Sequence, residues 1–171
     1  MVSVGYSVTG TDAVKRHLDE ILSRLKDNGP EGLTHSLAEK GRVVAENRFN
    51  TAQYDGTNDV QVLPPFESGQ STILRAEGEA VAFIEFGTGV HYTEQHPQAL
   101  ELGMTRGGYG YHLGMLDHWR YQGDPGTNGI DDPTHDGYII TYGNPPARAM
   151  YEASKEIRNN IGETAREVLR R

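Results

Sequence analysis

The feature that most constrains this sequence is a stretch without a pattern. Residues 87–137 hold 11 of the 21 glycines, five of the seven histidines and the lone tryptophan, and they sustain neither a helical nor a strand period. Loops of this length inside compact domains are usually functional or disordered. The aromatics here, Tyr92, Tyr109, Tyr111, Trp119 and Tyr121, argue for order on contact with something. Regular structure must therefore come from the two flanks. At 171 residues the chain reads as one domain, 1–171, with 87–137 as an irregular excursion inserted within it.

Both flanks are patterned. Thr11-Asp12 is a good helix start, and Val14, Leu18, Ile21, Leu22 and Leu25 follow at helical spacing until Asn28-Gly29. A second helix begins at Pro30, with Leu33, Leu37, Val44 and Ala45 on one stripe, and ends near Phe49. The period then falls to two. Val60 and Val62 alternate with polar residues before a Pro64-Pro65 break. Ser71–Glu77 and Glu79–Phe86 read as strands joined through Gly78, the second apolar on both faces and so central to its sheet. After the excursion, Tyr138–Tyr142 reads as the last strand. Pro145-Pro146 then leads into a long helix carrying Met150, Ala153, Ile157, Ile161, Ala165 and Val168. The order predicts an α+β domain: a mainly antiparallel sheet of about four strands, covered by two N-terminal helices and one long C-terminal helix.

Composition narrows the function. Leu, Ile, Val and Phe total 35 residues, about a fifth of the chain, so the core is thin and gains from burial against neighbouring subunits. The net charge is −8, which disfavours binding nucleic-acid phosphate without a concentrated basic patch. Without cysteine there is no disulfide, thiolate metal site or cysteine nucleophile. The longest apolar run, Ala80–Ile84, cannot cross a bilayer, and the first residues lack the pattern of a signal peptide. These features predict a chain made in the cytoplasm that binds no membrane.

Catalytic patterns are weak. Gly87-Thr88-Gly89 lacks the third glycine of a dinucleotide loop, since position 92 is Tyr92, and no P-loop lysine follows. His91, His96, His112, His118 and His135 are the enzyme candidate, as ligands of a metal-dependent hydrolase, but their spacing matches no metal framework. Ser68, Ser71 and Ser154 lie in no nucleophile context, and Asp131-Asp132 before Pro133 reads as a turn. No cofactor is implied. Arg148 falls in the first turn of the last helix, where the dipole disfavours a cation, and Glu85 is its expected partner.

Phe83-Ile84-Glu85-Phe86-Gly87-Thr88-Gly89, taken with Pro146-Ala147-Arg148-Ala149-Met150, resembles the tail-completion, or head–tail joining, family of long-tailed bacteriophages. Glu85, Phe86, Gly87 and Thr88 match that family's Glu-(Phe/Tyr)-Gly-Thr motif, and Pro146 and Arg148 match its Pro-x-Arg entry to the final helix. Ala149 and Met150 depart from the usual Pro-Phe. The resemblance implies a virion protein of the neck or head-proximal tail end, without catalytic activity, assembled in the host cytoplasm. Its implied partners are copies of itself in a ring, other phage neck and tail proteins, and genome DNA only in passage through a channel. Expected interface residues are Glu85, Phe86, Gly87, Thr88 and Arg148, with Tyr109, Tyr111 and Trp119 of the excursion. The acidic segment, with Asp124, Asp131, Asp132 and Asp136, is expected to face the channel.

Overall fold

The computed structural model describes residues 10–27, 29–89, 92, 95–104 and 118–170. Helix α1 (Thr11–Lys26) and helix α2 (Leu33–Asn50) are followed by an antiparallel ribbon of β1 (Gln61–Ser68) and β2 (Ser71–Glu77). A short helix, α3 (Val81–Phe86), precedes a second small sheet. Its strands are β3 (Trp119–Tyr121), β4 (Gly129–Asp131) and β5 (Ile139–Thr141), in the order β3-β5-β4 and all antiparallel. Helix α4 (Ala149–Arg170) closes the described chain. The architecture is α+β, with strands divided between two sheets.

The core lies where α2, α3 and α4 meet: Ala45 and Phe49, Ala80 and Ile84, Ala149 and Ala153. Phe49 and Ile84 are each 1% exposed, and the alanines around them let the helix backbones come close. Gly41 serves the same end farther along α2, because a Cβ there would meet Ile157 Cδ1 of α4 at 2.7 Å. The ribbon packs on α2, bringing Val62, Leu74 and Ala76 against the core. One hydroxyl pair, Thr34 Oγ1 and Thr72 Oγ1 at 2.8 Å, ties it to α2. Helix α1 rests on α4 and α2 and contributes no buried residue.

Three local expectations are corrected. Residues 81–86 form a helix, not a central strand. The Asp59 carboxylate, about 20 residues back in sequence, accepts the amides of Glu79 (2.7 Å) and Ala80 (2.9 Å) and so fixes the turn that leads into the helix. Those amides hold the Asp59 carboxyl below its ordinary range. Pro64-Pro65 does not end β1. The strand runs through both, with its register to β2 shifting between Leu63 and Phe66. The excursion is not irregular throughout, since β3 and β4 lie within it and flank β5, whose Ile139 and Ile140 are buried.

Candidate functional site: the Glu85 junction

Two sequence segments about sixty residues apart meet at the start of α4. Arg148 occupies the position just before the helix, at φ +55, and offers the helix no capping side chain. The first amides of any helix lack intrahelical acceptors. Glu85, at the end of α3, supplies them: its Oε2 accepts Met150 N at 2.9 Å and its Oε1 accepts Tyr151 N at 3.0 Å. A carboxylate in this place also meets the positive end of the helix dipole. The backbones are joined as well, with Ala147 N donating to Ile84 O at 2.8 Å and Arg148 N to Glu85 O at 3.2 Å.

His96 completes the carboxylate's surroundings. Its Nδ1 accepts the amide of Gln98 at 3.1 Å, which assigns the ring proton to Nε2, 3.1 Å from Glu85 Oε1. Glu85 and His96 are both buried. The imidazole also lies against Phe86, ring centroids 4.5 Å apart, and Tyr151, at 5.5 Å. The turn around Pro97 and Ala99 is thereby fastened to the entry of α4.

Farther along, Thr88 N donates to Asn144 O at 2.9 Å, and Thr88 Oγ1 accepts Asn144 N at 3.0 Å. The two backbones approach closely here. A Cβ on Gly87 would meet Asn144 O at 2.8 Å, and one on Gly143 would collide with Thr88 O; both glycines have positive φ. Asn144 continues the network, its Oδ1 accepting Asn128 Nδ2 at 2.8 Å and Asp55 N at 3.2 Å. Asp55 in turn accepts the amides of Thr127 and Asn128, tying the start of β4 to the segment that follows α2.

The two motifs singled out in the sequence are therefore brought together, with one correction. Glu85 and Arg148 do not pair through their side chains. The carboxylate is taken by amides and an imidazole, and an Arg148 Nη2 donates to Gln95 O at 2.9 Å. Glu85, Gly87 and Thr88 are buried within the chain and Phe86 is half-buried, so their internal role is to fix the course of the backbone. Tyr109 and Tyr111 lie outside the described residues, and Trp119 is described through its backbone, in β3.

The histidines do not converge where they are described. His96 is on Glu85, His118 lies 5.8 Å from the Tyr142 ring, and His135 contacts Asp132 at 3.1 Å. His91 and His112 lie outside the described residues. Among the described residues, no three His, Asp or Glu side chains are grouped to hold a metal ion.

Sequence reasoning missed a second buried carboxylate in the excursion. Asp132 accepts the Arg120 guanidinium, the Thr134 amide (2.8 Å) and the Thr134 hydroxyl (2.6 Å). Burial opposes its ionisation, but the Thr134 and Arg120 hydrogen bonds outweigh burial and hold the carboxyl well below the ordinary range. The expected turn at Pro133 is thus built on Asp132. That side chain presents no charge to a channel, whereas Asp124, Asp131 and Asp136 are exposed. No family model matches the chain, and neither a curated protein nor a solved structure matches it significantly.

Proposed function

We propose that this chain is a structural virion protein of a tailed phage, a tail-completion or head–tail joining component that acts by assembling into a ring. One observation carries the reading. The Glu85–Thr88 and Pro146–Arg148 segments, which bear the resemblance to that family, form a single hydrogen-bonded junction at the start of α4. A motif pair that is one physical unit is a better pointer to shared architecture than two short matches that happen to coexist.

The chemistry of the junction suits bracing. The Glu85 carboxylate is fully engaged by three donors, and the imidazole beside it is engaged at both nitrogens, so neither is poised to exchange a proton with a substrate. The net charge of −8 suits a channel component, because passing DNA finds few cations on which to release counterions. Other neck and tail proteins are the expected neighbours.

Deleting the gene from its parent phage and imaging the lysate by electron microscopy tests this. Filled heads and separate tails, joined on adding the purified protein, are expected. Normally joined, infectious particles from the deletion phage would overturn the proposal.

A further inference from the structure

The chain contains two Asp–Pro peptide bonds, Asp124–Pro125 and Asp132–Pro133, one on each side of β4. Toward acid, such a bond is the weakest in an ordinary backbone. The aspartyl carboxylate can close a five-membered ring on its own main-chain carbonyl carbon, and the prolyl nitrogen leaves as a basic secondary amine. The structure treats the two bonds differently.

Asp132 is held back. Its buried carboxylate is engaged by the Arg120 guanidinium and by the amide and hydroxyl of Thr134, so it is fixed in place and a poor nucleophile. Asp124 and Pro125 are exposed, and among the described residues the Asp124 carboxylate meets one donor, Gly126 N, at 2.8 Å from Oδ1. The carbonyl of this bond is also assisted, since the Tyr121 hydroxyl donates to Asp124 O at 2.9 Å. Burial, and then the carboxylates of Asp55 and Asp124, push the Tyr121 phenol up, so it keeps the proton that it donates. Beyond the bond, Gly129 N donates to Pro125 O at 2.8 Å, and Asp55 accepts the amides of Thr127 and Asn128. The peptide is gripped on both flanks.

We propose that the chain cuts itself once at Asp124–Pro125, with the Asp124 carboxylate as nucleophile and the Tyr121 hydroxyl as oxyanion donor. A carboxylate oxygen bonds to the Asp124 carbonyl carbon, and the carbonyl oxygen takes up negative charge against the Tyr121 hydroxyl. The carbonyl then re-forms, the carbon–nitrogen bond breaks, and the Pro125 nitrogen takes a proton from solvent. Water opens the cyclic anhydride and leaves two carboxyl groups on Asp124, with nothing oxidised or reduced. Pieces 1–124 and 125–171 stay together, because β3 pairs with β5 and α2 packs on α4 across the cut. The product is a nicked structural part, and the inference is independent of the ring reading.

The test incubates the full-length protein in a mildly acidic buffer in which circular dichroism shows it folded, and reads masses after denaturation. Fragments 1–124 and 125–171 should accumulate while Asp132–Pro133 stays whole, with no change in native elution volume. Asp124→Ala should leave the chain uncut. Tyr121→Phe, shown folded by its thermal melt, should slow the cut about tenfold or more. In urea at the same pH the two Asp–Pro bonds should be cut at similar rates. A folded wild-type chain that keeps both bonds overturns the proposal, as does one that loses both equally. A folded Tyr121→Phe variant cut as fast as wild type overturns the role of the hydroxyl.

Discussion

The Glu85 junction and the Asp132 turn each bury a carboxylate, and they satisfy it by opposite means. Glu85 receives neutral donors, two helix amides and an imidazole, from segments far apart in sequence. Asp132 receives a guanidinium and the hydroxyl and amide of a residue two positions on. The first arrangement binds α3, the His96 turn and α4 into one body. The second shapes a single turn and pins β3 to it. The difference is between a carboxylate that organises tertiary structure and one that organises a loop.

That contrast can be broken experimentally. Glu85→Ala removes the carboxylate that accepts the Met150 and Tyr151 amides and orphans those donors, so it should cost about 3 kcal/mol or more by urea denaturation. Glu85→Gln, which fills the same volume and keeps one acceptor oxygen, should cost less; equal losses would mean that the charge and the second acceptor carry the effect and the filled volume does not. Gly143→Ala places a Cβ against Thr88 O at φ +106 and should cost about 2 kcal/mol.

Arg120→Ala sharpens the other half with a smaller effect, read as a pH dependence. Asp132 is more acidic folded than unfolded, so its ionisation favours folding at neutral pH. That contribution is lost as pH falls below about 4, the ordinary carboxylate value. The melting temperature of wild type should exceed that of Arg120→Ala at pH 7, and the gap should close on acidification. A gap that is constant with pH would show that Arg120 acts through packing. Leu18→Ala in α1 should change monomer stability least, by about 0.5 kcal/mol or less, because the side chain is half exposed.

How much was legible in the sequence follows from how local each determinant is. The long helices were read from periodic apolar residues, and β2 and β5 from short apolar runs, because those signals lie within each segment. Helix α3 was not, since a six-residue segment with five apolar residues fits a strand as well as a helix, and Asp59, which holds the two amides leading into it, is distant. β3 and β4, at three residues each, are too short to show a period. At the site, the pairing of the two motifs was visible but the chemistry was not. The dipole argument that gave Arg148 a partner applies more directly to Glu85 itself, whose charge suits the helix start. His96 was singled out only as a candidate metal ligand, because its place beside Glu85 depends on the turn that delivers it.

Two-stranded ribbons have open outer edges, and such edges invite sticking to any strand that passes. Pro64 and Pro65 remove two consecutive amide donors from β1, where the register slips. The two prolines thereby blunt this edge of the ribbon against pairing with a strand of another chain.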